Sequence, residues 1–231
     1  MTRIIIVTAI CVLVLHNPIS AQTANGVMII PTSSQIDTGW MAQRDKEILN
    51  AMNVKYTKPN GFREDQRSEC FEKTWRLRAA FTCLSNRLVS DDGEIVIYAP
   101  IHKIMSERDS IEINRIFSGS IKSLNHFHIG NLKAQIKNLN SEPASKNWKD
   151  NVDYYLPQDT KSTFNADTAL SYSSVLKEAD SYENKYRNVY SLFLQKKNRG
   201  FLNVIVFYSD KGKRTFEKYK RDIEHMFQYQ D

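Results

Sequence analysis

The sequence predicts an α+β domain: an antiparallel sheet flanked by helices, ending in a β-hairpin followed by a C-terminal amphipathic helix. Two runs rich in aromatic and β-branched residues, 186–194 and 201–208, are parted by the turn-forming Lys197-Asn198-Arg199-Gly200. Asp91-Asp92-Gly93, after Ser90, parts two further extended runs at 84–89 and 94–98. Beyond the last strand, Phe216, Tyr219, Ile223, Met226 and Phe227 recur at helical spacing with Lys and Arg opposite them.

Taken in chain order, residues 1–21 follow the plan of a cleavable secretory signal peptide. Arg3 supplies the positive start, residues 4–15 the apolar middle, and Ser20-Ala21 the small residues before a cut that we place after Ala21. That apolar middle is short of the ~20 residues a bilayer-crossing helix needs, and no second run approaches that length, so no transmembrane segment is expected once the leader is removed. Residues 22–40, rich in Thr, Ser, Gln and Asn, read as a flexible N-terminal segment. Residues 41–231 read as a single α+β domain.

Within that domain Met41, Ile48, Leu49 and Met52 predict a helix, residues 54–57 an extended run, and Pro59-Asn60-Gly61 a turn. Ile113, Ile116, Phe117, Ile121 and Leu124, then Leu132, Ile136 and Leu139, predict one or two central helices. In the strand 201–208 the positions Leu202, Val204, Val206 and Tyr208 alternate with Asn203, Ile205 and Phe207. Both faces are thus mostly apolar, as in a central strand covered on both sides. Asp210 is placed to cap the helix that follows.

Cysteine usage follows from export. The leader carries Cys11 away, which leaves Cys70 and Cys83 as an even pair bound for an oxidising compartment. A disulfide between them would stabilise the fold by roughly 3 kcal/mol in the chain-entropy model. The spacing suits neither a zinc knuckle nor a thioredoxin-like redox pair.

Catalytic motifs are sparse. Ser174-Val175-Leu176-Lys177 matches Ser-x-x-Lys without its companion elements, and Gly-x-Ser-x-Gly is absent. His126-Phe127-His128 lacks a third ligand at matched spacing, and His102 and His225 are isolated. Eight glycines leave little room for a phosphate-binding loop. We therefore assign no catalytic, metal or cofactor-binding residue and expect no cofactor. The formal charge is +6, of which Arg3 contributes one, so the mature chain carries +5. This balance is mild, and Lys211, Lys213, Arg214, Lys218, Lys220 and Arg221 form a basic helix face diluted by Glu217, Asp222 and Glu224. That face reads first as the solvated side of an amphipathic helix and second as a surface for a polyanion. An anionic envelope component or another envelope protein is the kind of partner it would then suit, and nucleic acid is not expected.

Phe164-Asn165-Ala166-Asp167-Thr168, then Tyr172, the Lys-Asn turn, the apolar strand and the terminal helix resemble a pattern in exported proteins of Bacteroidetes-type bacteria. The resemblance spans about the last seventy residues and implies no activity. Read from the residues, Asn165 and Asp167 are loop formers whose side chains cap local structure, or else a pair that contacts ligand. The chain thus reads as a periplasmic or secreted, non-catalytic binding protein. The competing reading is a cell-envelope hydrolase whose site is assembled from dispersed residues.

Overall fold

The computed structural model describes residues 43–65, 69–70, 83–84, 86–103, 132–133, 135–137, 139 and 148–231, all within the unit Pro31–Asp231. Residues 1–21, read as a signal peptide, residues 22–40, read as a flexible segment, the helix read at 113–124 and the His126/His128 pair lie outside the described residues.

The sheet is antiparallel throughout, as the sequence predicts. Its strands are β2 (Phe62–Asp65), β5 (Arg87–Ser90), β6 (Ile95–Tyr98), β7 (Ile101–Lys103), β8 (Asp153–Tyr154), β9 (Thr168–Val175), β10 (Asn188–Lys196) and β11 (Gly200–Tyr208). The order is β2-β5-β6-β11-β10-β9-β8, with β7 also paired to β11. Strands β6 and β7 run along one edge of β11 in a single register, Ile205 facing Tyr98 and Leu202 facing Ile101. They part at Ala99-Pro100, where proline brings no N–H to the ladder and its carbonyl accepts from Asn203 N at 3.2 Å.

Two hairpins form where turn chemistry predicted them. The β5–β6 pair closes over Asp91-Asp92-Gly93, with Gly93 at φ 68° and Asp92 accepting from Ser90 Oγ and Glu94 N. The β10–β11 pair closes from Lys196 opposite Gly200, with Asn198 at φ 60° and Gly200 at φ 140°. Here β10 begins and ends two residues later than its aromatic run suggested and β11 begins one residue earlier, because the register is closed at the turn.

Each face of the sheet carries its own core. Leu192, Leu194, Leu202, Val204 and Val206 face a layer made by α1 (Gln43–Ala51), α2 (Lys213–Glu224) and a small ribbon. That ribbon pairs β1 (Val54–Tyr56) with β12 (Phe227–Tyr229). Val189, Phe193, Ile205 and Phe207 face the other way, against Leu132, Ile136, Leu139 and Tyr182. Strand β11, buried at every position, is central, as its two apolar faces predicted.

Helix α2 buries Phe216 and Ile223, and a side chain so buried contributes roughly 1.5–3 kcal/mol. Two details differ from the sequence reading. The helix stops at Glu224, and Phe227 belongs to β12, so the chain passes from the amphipathic helix into a final strand held by β1. Nor does Asp210 cap the helix: Gly212 stands at the N-cap, and its N–H donates to Ser209 Oγ at 2.9 Å. Asp210 instead accepts from Asn188 Nδ2 at 3.0 Å, because a neighbouring strand reaches it first. A side chain at Gly212 would meet the Glu94 carbonyl at 2.6 Å, which fixes glycine there.

Two short strands, β3 (Glu69–Cys70) and β4 (Cys83–Leu84), pair antiparallel with Cys70 directly opposite Cys83. No helix among the described residues is long and apolar enough to cross a membrane.

A basic corner as the candidate functional site

The segment between β8 and β9 begins with Pro157 at the first helical position, where its missing N–H costs nothing. A helical turn, Pro157–Asp159, widens into the π-helical turn Thr160–Phe164 and anchors itself through fully buried Phe164, edge-on to Tyr155 at 5.2 Å. Asn165 ends it in the left-handed region at φ 47°, a conformation asparagine tolerates better than most residues. The reversal carries Asp167 to the end of β10. There Asp167 N donates to Gln195 O at 2.9 Å and the Asp167 carboxylate accepts from Lys197 N at 2.7 Å.

This packing brings together cations that lie far apart in the chain. Lys161 donates to Asn165 Oδ1, and Lys196 donates to the Asn165 carbonyl at 2.8 Å. Arg199 donates through Nη1 to the Gln230 carbonyl. All three acceptors are neutral oxygens, so the hydrogen bonds orient the cations without cancelling their charge.

Among the described residues, the carboxylate within ion-pair reach of this group is Asp231, whose Oδ1 lies 3.9 Å from Lys196 Nζ and accepts from Asn165 Nδ2 at 2.8 Å. The amide bond from Asn165, followed by the field of Lys161, holds the Asp231 carboxyl below the usual carboxylate range. Burial, together with the neighbouring Lys161 and Arg199 charges, lowers Lys196. Its side chain is 13% exposed, with the ammonium 5.9 Å from the centre of the Tyr229 ring.

Asn165 and Asp167, the ligand-contact candidates of the sequence, therefore stand in one corner with different duties. Asn165 turns its amide toward the anion position, and Asp167 ties the segment to the hairpin turn. Lys161, Lys196 and Asp231 were invisible as a group, because nothing local links residues so far apart in sequence. Arg199 was read only as part of a turn.

Three other polar groupings bear on function. Glu224, only 14% exposed, accepts from Tyr155 at 2.6 Å and from Tyr190 at 2.5 Å, with Lys220 at 3.4 Å. Burial and the Glu224 charge push the Tyr190 phenol up, so it stays a proton donor at any physiological pH. On the opposite face of the sheet the buried guanidinium of Arg87 meets Asp65 and both carboxylate oxygens of Glu183, at 3.0 and 3.2 Å. An open hollow of about 470 Å³ at the start of α2 is lined by Asp210, Lys211, Lys213, Arg214, Thr215 and Glu217, which includes part of the basic face read from sequence.

The remaining motif candidates resolve into ordinary structure. Ser174 is buried in β9 and donates to the Leu139 carbonyl at 3.0 Å, while Lys177 is exposed. His225 lies at the end of α2 against Phe164, and His102 lies in β7 opposite Phe201. Among the described residues no group of three His, Cys, Asp or Glu side chains is placed to hold a metal ion.

No protein-family model matches the chain, and no curated protein matches it. One solved structure does, that of LpqN, a protein involved in cell envelope biogenesis of Mycobacterium tuberculosis. It matches at 13% identity and a TM-score of 0.37, over 76% of this chain and 82% of its own, a likeness too slight to bear on function.

Proposed function

We propose that this is an exported, non-catalytic binding protein that holds an anionic component of the cell envelope at the basic corner. Residues 1–21 are removed as a signal peptide, and the mature protein acts in the periplasm or outside the cell. The likeness of its last seventy or so residues to exported proteins of Bacteroidetes-type bacteria agrees with this compartment.

One observation carries the reading: Lys161, Lys196 and Arg199 are each oriented by a neutral oxygen and gather about a single exposed carboxylate. Three cations set against the carboxylates of Asp231 and Asp167 leave the corner net positive, which favours an outside anion. Asn165, with its amide toward the same position, is the ligand contact. Asp167 keeps the turn in shape.

Isothermal titration of the purified exported protein with polyglutamate, polyphosphate and neutral dextran tests the proposal. Binding to an anionic polymer and not to dextran is expected, weakened about tenfold in the Lys161→Ala/Arg199→Ala double variant. No binding to either anion, or turnover of envelope substrates by the unmodified protein, would overturn the reading in favour of a hydrolase.

A further inference from the structure

Resting on the anion-binding reading, we infer that the corner takes a carboxylate group, and that the side chain of Asp231 occupies the position that the ligand's carboxylate would take. Asp231 is bound as a ligand would be. Its Oδ1 accepts from Asn165 Nδ2 at 2.8 Å and faces the Lys196 ammonium at 3.9 Å. At 91% exposure its side chain fills no part of the core. A side chain so exposed can leave without opening a cavity.

The donors define the chemistry. One amide and one ammonium address a single oxygen of a planar, two-oxygen group. Arg199 commits Nη1 to the Gln230 carbonyl and Lys161 donates to Asn165 Oδ1, so both supply field to this position more than hydrogen bonds. The group that already occupies this position in the fold is itself a carboxylate, so a carboxylate is the anion these donors are spaced to receive. Acidic peptides and uronic-acid polymers carry the matching group.

Binding of the outside carboxylate then requires that Asp231 swing away, and the Asp231 side chain competes with the ligand. Because removing any nearby negative charge helps an anion, the test needs a charge-matched control. Asp159 is exposed and lies in the same segment as Lys161 and Asn165.

Titration with polyglutamate and with polyphosphate is carried out on the unmodified protein, Asp231→Ala and Asp159→Asn. Asp231→Ala is expected to bind polyglutamate about tenfold more tightly than the unmodified protein, with Asp159→Asn within about twofold of it. Equal tightening in both variants, or none in Asp231→Ala, overturns the placeholder while leaving anion binding intact. Tightening of polyphosphate by as much as polyglutamate overturns the assignment to carboxylates. Failure of the unmodified protein to bind either polymer removes the anion-binding reading itself.

Discussion

Arg87 and the basic corner handle positive charge in opposite ways. Arg87 is buried on β5, and its guanidinium is answered by two carboxylates, Asp65 on the neighbouring strand and Glu183 on the turn that crosses the sheet. Lys161, Lys196 and Arg199 are tied to carbonyl and amide oxygens and share one exposed carboxylate. A cation neutralised within the fold has its field consumed there and works as a fastener. Cations held by neutral dipoles keep a field that reaches solvent, where a ligand can use it. On the proposed reading, what separates a structural cation from a ligand-binding one in this molecule is the charge state of the acceptor, not the presence of Lys or Arg.

The Arg87 fastening closes a strained element. Glu183 and Asn184 both sit at positive φ, 50° and 56°, in a tight turn bracketed by Tyr182 and Tyr186. A glutamate rarely adopts that backbone without compensation. The turn is held by Glu183 on Arg87, by Lys185, whose ammonium lies 3.0 Å from Glu94, and by Tyr186, whose hydroxyl donates to the Gly93 carbonyl at 2.9 Å. Tyr182 shares a 2.7 Å hydrogen bond with Tyr98 and packs on Phe207 at 4.8 Å, so the aromatic pair closes that face of the sheet.

The largest test of the contrast is Arg87→Ala. It leaves Asp65 and Glu183 without the guanidinium and should cost about 3–5 kcal/mol in denaturant unfolding, with polyglutamate binding by the folded fraction unchanged. Loss of binding at full stability would place Arg87 on the recognition side.

Next in size is a covalent fastening that we propose in the same stretch of chain. Strands β3 and β4 lie between Asp65 and Arg87 in sequence, with Cys70 opposite Cys83 in register. A disulfide there would close the loop that joins the two halves of the ion pair. Cys70→Ala/Cys83→Ala should then lose about 3 kcal/mol, an effect the reduced wild type reproduces. Two free thiols found by mass spectrometry of the exported protein would exclude the bond.

The smallest effect concerns pH. The Ser209 hydroxyl, followed by Lys185, holds the Glu94 carboxyl below its ordinary range. A carboxylate lowered by folding contributes stability that is present above its unfolded pKa and disappears as pH falls through the folded one. The difference between the wild type and Glu94→Gln should be at most about 1 kcal/mol at pH 7 and vanish in acid below the carboxylate range. A difference that grows on acidification would contradict the ion pair between Glu94 and Lys185.

Local chemistry made much of the fold legible. Gly93 in one turn, and Asn198 with Gly200 in the other, supply the positive φ those turns need, and both hairpins form there. The two apolar faces of β11 revealed a strand with cover on each side before any partner was known. Where a distant partner competed with a local one, the reading went astray. Asp210 looked like a cap, yet Asn188 from β10 claimed its carboxylate and the helix starts from Gly212, whose N–H donates to Ser209 Oγ. Phe227 looked like the last turn of a helix, yet β1, more than 170 residues earlier, draws it into a ribbon as the partner of Tyr56.

The same division governs the candidate site. By itself the sequence determined the turn-forming character of Asn165 and Asp167, the alternation of the strands and the amphipathic stripe of α2, because each depends on neighbours a few residues away. Only the tertiary structure decided that Lys161, Lys196, Arg199 and Asp231 meet, and which oxygens receive each cation. Electrostatic fields act through space over about 8–10 Å at ordinary salt, a distance that bears no relation to separation along the chain.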